Sequence, residues 1–251
     1  MTTSTKIVIL IPTYNEAETI CELINKLVEF RRLSQYKFDL VVIDDNSPDK
    51  TADIVEAMRL PWVQLLRRPQ KDGLGAAYRA GFLKVLGDPQ YSHVITMDAD
   101  GSHRAEDLPA LLGPMESSNS NKTLVIGTRW MPGGSVVNWP RYRQLLSKSG
   151  TRYAKFALGI NLNDLTGGFR IYSVDLLNCF DFNQMHATGY CFQIEMAMAA
   201  NTAGANATEV PITFVERSKG SSKMNGWIAL EALIFTSRNG IKRLTRVHNR
   251  R

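Results

Sequence analysis

Short apolar runs rich in β-branched residues alternate along the chain with longer stretches whose apolar positions repeat at helical spacing. Residues 6–11, 38–43, 62–66, 93–97 and 123–127 read as strands. Each is a brief aliphatic run bounded by polar turns, which suits a sheet covered on both faces. Between the first two, residues 17–32 place Ile20, Leu23, Ile24 and Leu27 on one helical stripe. Ser47-Pro48 predicts an N-cap followed by proline at the first helical position, opening a helix that runs to about Met58. Residues 75–85 and 107–115 predict further helices. Strands and helices in this order predict an α/β fold around a mainly parallel sheet.

The second half is less regular. Gly133-Gly134 opens a loop, 142–158 and 192–203 are helical, and 207–215 is strand-like, with Pro211 pointing to an edge or a bulge. The tail, 227–247, has Trp227, Leu230, Ile234, Ile241 and Leu244 on one helical side and Arg238, Lys242, Arg243 and Arg246 near its end. Such a helix either lies on a membrane surface or docks on the domain with its cations in water. The whole chain, 1–251, reads as one domain, with a core of about 6–226 and the basic amphipathic tail 227–251.

Hydrophobic residues make up 44% of the 251 and charged residues 22%, enough apolar material for a packed core. No run approaches the roughly 20 apolar residues of a bilayer span, and the apolar run behind the polar start is too short for a secretory signal. The expectation is a soluble or peripheral protein that stays in the cytosol. Cys21, Cys179 and Cys191 have neither metal nor redox spacing and are expected to be reduced, buried thiols. The net charge of +6 suits nucleic acid, anionic membrane or phosphorylated substrates equally.

Chemistry gathers at the carboxyl ends of the strands, where open α/β sheets bind ligands. The first strand ends in Pro12-Thr13-Tyr14-Asn15-Glu16, the second in Asp44-Asp45-Asn46-Ser47, the fourth in Asp98-Ala99-Asp100. Asp98 and Asp100 at i and i+2 of an extended chain face the same way. Two converging carboxylates repel unless a cation sits between them, and oxygen ligands favour Mg²⁺ or Mn²⁺ carrying substrate phosphates. The bland alternative is a turn with helix-capping acids. Asp45 is suited to accept hydrogen bonds from a base or ribose, or else forms an Asx turn into Ser47. A dinucleotide-binding oxidoreductase would carry Gly-x-Gly-x-x-Gly after the first strand, which is absent here. A basic nucleic-acid- or membrane-binding module without catalysis leaves the acidic strand ends unexplained, and those acids would repel nucleic acid.

Taken together, Ile11-Pro12-Thr13-Tyr14-Asn15-Glu16, Asp44-Asp45-Asn46-Ser47-Pro48-Asp49, Gly73-Leu74-Gly75-Ala76-Ala77, Met97-Asp98-Ala99-Asp100, Gly127-Thr128-Arg129, Leu165-Thr166-Gly167-Gly168-Phe169-Arg170 and Phe214-Val215-Glu216-Arg217 resemble the inverting family-2 glycosyltransferases of the GT-A fold. The resemblance is strongest to the dolichol- or polyprenol-phosphate mannose synthases, and it covers nearly the whole chain. It implies transfer of mannose from GDP-mannose to a polyprenyl or dolichyl monophosphate, with Mg²⁺ or Mn²⁺ as cofactor. A UDP-glucose-dependent polyprenyl-phosphate glucosyltransferase is the alternative.

By position, the resemblance puts Pro12, Tyr14, Glu16, Ile43 and Asp45 in a guanosine and ribose pocket. Asp98, Ala99 and Asp100 fall in the diphosphate and metal site, with Ser102 where many relatives carry a glutamine metal ligand. Arg129 matches a catalytic arginine that meets phosphate near the reacting centre, Arg143 and Ser147 match acceptor-phosphate contacts, and Gln193 matches a nucleotide-sugar contact. Arg217 and Lys223 match cations of a loop, Glu216 to Gly226, that closes over the donor. An ordinary exposed basic loop is the alternative for that segment. The implied setting is the cytoplasmic side of a bacterial plasma membrane or the endoplasmic reticulum, reached by peripheral docking or through a membrane-embedded partner subunit, with no nucleic-acid partner.

Overall fold

The structure is a computed structural model that describes residues 6–187, 189–217 and 226–248. Its first half is the alternation expected: β1 (Ile7–Thr13), α1 (Ile20–Leu33), β2 (Phe38–Asp44), α2 (Thr51–Ala57), β3 (Val63–Arg67), α3 (Leu74–Leu86), β4 (His93–Thr96), α4 (Leu108–Ser117) and β5 (Thr123–Thr128). There follow β6 (Ser135–Val137), α5 (Arg141–Leu158), β7 (Arg170–Ser173), α6 (Val174–Leu177), α7 (Gly189–Thr202), β8 (Asn206–Pro211), β9 (Thr213–Val215) and α8 (Gly226–His248).

Seven strands form one sheet in the order β3-β2-β1-β4-β7-β5-β8, and all but β7 run the same way. β6 and β9 make a separate parallel pair beside it. Alternation along the central strands divides the core. Val8, Leu10, Val41 and Ile43 face α3 and α7, while Ile7, Ile9, Ile11, Leu40 and Val42 face α1 and α4. Both faces are covered, so β1 reads as an unbroken apolar run.

Several expectations are corrected. Ser47 is not the cap of α2: that helix begins at Thr51, behind Lys50 in the left-handed region. Ser47 is engaged instead by Asp44, which accepts both its backbone N–H (2.9 Å) and its hydroxyl (2.6 Å), while Asp49 accepts from Thr51. β4 ends at Thr96, so Asp98 and Asp100 lie in a turn, with Gly101 at φ +75°, and not on an extended strand. Residues 207–215 split into edge strand β8, with Pro211 at its end, and β9 in the small sheet. Of the three cysteines only Cys191 is buried; Cys179 is exposed and Cys21 half-buried, and all three are free thiols.

The tail is helical, and it packs against α5 and α7. It does so through Phe235, which packs against the core, and through small and polar positions. Thr236 is buried, and a Cβ on Gly240 would lie 3.1 Å from the Ala157 carbonyl of α5. Leu230, Leu233, Ile234, Ile241 and Leu244 face outward instead.

Candidate functional site

Because β2, β1 and β4 are parallel neighbours, their carboxyl ends bring the three acidic clusters to one edge. β5 ends at that edge with Thr128-Arg129, and the loop before antiparallel β7 returns Thr166, Gly167 and Gly168 to it. The turns are laced together: the N–H groups of Asn15, Glu16 and Ala17 donate to Ser47, Thr51 and Asp49 respectively. Asp44 is a buried structural hub, accepting from Thr13 as well as from Ser47. The Asx turn therefore belongs to Asp44, and Asp45 is left to pair with Arg68. Burial raises the Asp45 carboxyl above its ordinary pKa, and the Arg68 charge opposes that shift. Arg68 also reaches Asp72. Tyr14 is half-buried beneath the Lys71 ammonium, which lies 3.7 Å from its ring centroid. Pro12 and Glu16 are half-buried at the same edge. Ile43 departs from the expected pocket: its side chain is fully buried, turned by strand alternation against Leu10 and Gly81, so only its backbone borders the edge.

The acidic pair borders a cavity of about 50 Å³ that also meets Ser102, His103, Arg129, Arg143 and Arg217. Asp100 accepts the Ser102 N–H at 3.0 Å, and its other oxygen lies 3.2 Å from the Arg217 guanidinium. Asp98 receives the Tyr78 hydroxyl at 3.4 Å. Burial holds the Asp98 carboxyl above its usual pKa; nearby His103 opposes the shift and the like charge of Asp100 adds to it. The Asp98 backbone N–H donates to His103 Nδ1 at 3.0 Å, so that nitrogen carries no proton and the imidazole is fixed in orientation, stacked on Phe169. Ala99 and Gln193 are buried, and Gln193 Nε2 would lie 3.2 Å from a Cβ on Gly168.

Opposite the acids, Arg129 is only 5% exposed. It is bound twice by the fully buried Asp164, at 2.6 and 2.8 Å, and donates to the Thr166 hydroxyl at 2.9 Å. Its guanidinium lies within 5.2–5.4 Å of the Trp130, Trp139 and Phe214 ring centroids, an aromatic box around the cation. Burial alone would raise the Asp164 carboxyl. The Arg129 charge and hydrogen bonds, helped by the Gly167 N–H, outweigh burial and hold it below the usual value. Arg143 lies over Trp139 and pairs with Glu216. Ser147, one turn further along α5, borders a different cavity, the apolar groove between α5 and α8. Lys223 lies outside the described residues.

Sequence reasoning did not single out Asp164, Arg68, His103, Tyr78 or the aromatic box. Asp164 directly precedes the Leu165–Arg170 segment and His103 follows the acidic turn by three positions, which are the only signals either gives. Gly75 packs tightly, since a Cβ there would run into the Ala187 carbonyl.

A bidentate carboxylate–arginine pair, two nearby acids and further arginines make a site for anionic groups bridged by a cation. Residues 8–180 match the family described as glycosyl transferase family 2. The chain belongs to glycosyl transferase family 2. It is 42% identical over 238 residues to the undecaprenyl-phosphate mannosyltransferase of Micrococcus luteus, covering 94% of each chain. It is 39% identical to the polyprenol monophosphomannose synthase of Mycolicibacterium smegmatis, covering 93% of this chain and 86% of that one. Among solved structures, glucosyl-3-phosphoglycerate synthase from Mycobacterium tuberculosis, in complex with Mn²⁺, UDP and glucosyl-3-phosphoglycerate, superposes with a TM-score of 0.63 at 20% identity, covering 96% of this chain and 78% of that one. Mannosyl-3-phosphoglycerate synthase from Rubrobacter xylanophilus gives 0.64 at 16%, covering 98% and 76%. The fold is therefore the GT-A fold of sugar transferases, and this glycosyltransferase carries its polar edge where the strands end.

Proposed function

We propose that this glycosyltransferase moves mannose from GDP-mannose to the phosphate of a polyprenyl lipid, with inversion at the anomeric carbon, at the cytoplasmic face of a membrane. The observation that carries the reading is one cavity bordered both by the Asp98–Asp100 pair and by Arg129 and Arg143. Relatives at 42% and 39% identity are named for mannosyl transfer to polyprenyl phosphates.

The acidic turn suits a divalent cation. The Ser102 hydroxyl is buried without a partner, and the Arg217 guanidinium rests on Asp100 as a positive charge would. Among the described residues no three acidic, histidine or cysteine side chains cluster, so Asp98, Asp100 and Ser102 would hold an ion whose remaining ligands come from the diphosphate. When bound, Mg²⁺ or Mn²⁺ offsets the charge that grows on the departing nucleotide diphosphate. Tyr14, Glu16 and Asp45 border the nucleoside, and Arg217 turns from Asp100 to the phosphates. Arg129 and Arg143 hold the acceptor phosphate in line with the anomeric carbon. A phosphate oxygen forms the new bond to that carbon as the bond to the diphosphate oxygen breaks, and the electron pair leaves with GDP. A phosphate monoester is largely dianionic at neutral pH, with a second pKa of about 6, so the step needs no general base. Rate comes from orientation and fixed charge.

The outward apolar residues of α8 continue those of α5, where Tyr142, Leu145 and Phe156 are exposed, Phe156 by 85%. Lys148, Arg152 and Lys155 flank them on α5. An apolar face rimmed by cations suits an anionic bilayer surface. The deciding experiment is a donor screen. With Mn²⁺, GDP should raise the melting temperature and UDP should not; the reverse would replace mannose with the glucosyl alternative.

A further inference from the structure

A further cavity, of about 820 Å³, is bounded by the last three turns of α5, by Trp130 and by the 159–163 turn. That volume lies within the range of roughly 300–1,000 Å³ usual for small-molecule sites. It shares no bordering residue with the acidic cavity. Lys148, Arg152 and Lys155 stand at i, i+4 and i+7 of α5, on one side of the helix, and all three border it. No carboxylate does. Like charges at this spacing destabilise a helix unless something of opposite sign joins them. Lys155 is partly engaged: it donates to the Asn163 side-chain oxygen at 3.2 Å and lies in the last turn, where a cation offsets the helix dipole. Lys148 and Arg152 are exposed, with the Lys148 ammonium 4.9 Å from the Trp130 ring centroid. The Arg243 guanidinium, lying against Gly159, adds a cation at the margin.

Two buried polar atoms of the same wall have no partner. One is the hydroxyl of Thr151, a side chain only 4% exposed, and the other is the indole N–H of Trp130. Buried donors left unpaired cost stability, so each calls for an acceptor oxygen. Cations and unpaired donors together describe an oxyanion site. Phe156, 85% exposed, stands at its edge and continues the apolar face of Tyr142 and Leu145. A free phosphate gains nothing from such an edge, whereas a lipid can lay its tails along it. We propose that this cavity holds the headgroup phosphate of one anionic membrane phospholipid, gripped by Lys148 and Arg152 and by hydrogen bonds from Thr151 and Trp130. The inference rests on the membrane contact proposed above and turns a general attraction into a single, saturable site apart from the reacting centre.

The indole resonance of Trp130 reports on the cavity directly. Titrating isotope-labelled protein with dihexanoyl phosphatidylglycerol, below its critical micelle concentration, should move that resonance to saturation. Inorganic phosphate and dihexanoyl phosphatidylcholine should each bind at least about tenfold more weakly. Replacing Lys148 and Arg152 together by glutamine should weaken phosphatidylglycerol at least about tenfold. The same two charges removed elsewhere, by Lys26→Gln with Lys84→Gln, should leave its affinity at the wild-type value. Thr151→Val alters no charge and removes an unpaired buried hydroxyl. It should keep or raise the melting temperature yet weaken the lipid at least about threefold. A wild-type resonance that does not saturate, or an unchanged affinity in Lys148→Gln with Arg152→Gln or in Thr151→Val, would overturn the site. Inorganic phosphate or phosphatidylcholine bound as tightly as phosphatidylglycerol would overturn the anionic lipid as its occupant. Cosedimentation with anionic vesicles tests the membrane contact separately. Vesicle binding without the indole shift removes the headgroup site alone, and the shift without vesicle binding removes the membrane contact alone.

Discussion

Asp164 shows how one buried side chain can govern a site it does not enter. It satisfies two edges of Arg129 and accepts backbone N–H groups from the Thr166–Gly167 turn, so it fixes both the cation and the loop beside it. Asp164→Ala leaves the guanidinium buried without its counter-charge and should cost about 3–5 kcal/mol in urea unfolding. Arg129→Lys keeps the charge but cannot span both carboxylate oxygens, and turnover should fall more than GDP binding measured by calorimetry. The pH dependence follows from the sign of the shift. A carboxyl held below its unfolded value of about 3.9 stabilises fully above that pH and loses its contribution as pH falls through the folded value. The melting-temperature gap between wild type and Asp164→Asn should therefore narrow below about pH 4, and a constant gap would show that Asp164 is not ionised in the fold. Asp100→Ala should nearly abolish transfer of radiolabelled mannose with the far-ultraviolet circular dichroism intact; full activity in that variant would remove the metal assignment.

Among the elements, α8 departs most from the simplest reading of an amphipathic helix. Apolar periodicity marks a stripe, but it does not say whether the stripe faces the core, and here the stripe faces out. The helix is held by close approach at Gly240 and by Arg243, whose guanidinium lies against Gly159. Gly240→Leu would force Ala157 and α8 apart, so trypsin should release the tail from that variant far sooner than from wild type; equal digestion rates would mean α8 is held elsewhere. The four-residue β7 was not legible at all. It follows close on a glycine pair, its first residue, Arg170, is charged, and its antiparallel place between β4 and β5 depends on partners distant in sequence. Arg170 is nevertheless fully buried, donating to the carbonyls of Leu165 and Gln193.

For the whole molecule, no helix among the described residues is long and apolar enough to cross a membrane. The exposed apolar faces of α5 and α8 are the surface proposed above for membrane contact. Replacing Leu145 and Phe156 together by glutamate should abolish cosedimentation with vesicles containing anionic lipid while leaving the GDP-induced stabilisation intact. High salt should weaken wild-type binding, because cations rim the apolar face. Cosedimentation of the double variant at the wild-type level would place the membrane contact on another surface.

The sequence alone determined strands β1 to β5, most helices and the three acidic clusters that follow strands, because apolar period and local turn chemistry act over a few residues. It also carried the family motifs that mark a sugar transferase. Tertiary structure decided what local pattern cannot encode: that Asp44 rather than Asp45 is the structural acid, that Ile43 turns away from the pocket, that Asp164 clamps Arg129 across 35 positions, and which way α8 faces. Each of those outcomes depends on residues far apart in the chain competing for the same buried space and the same hydrogen bonds.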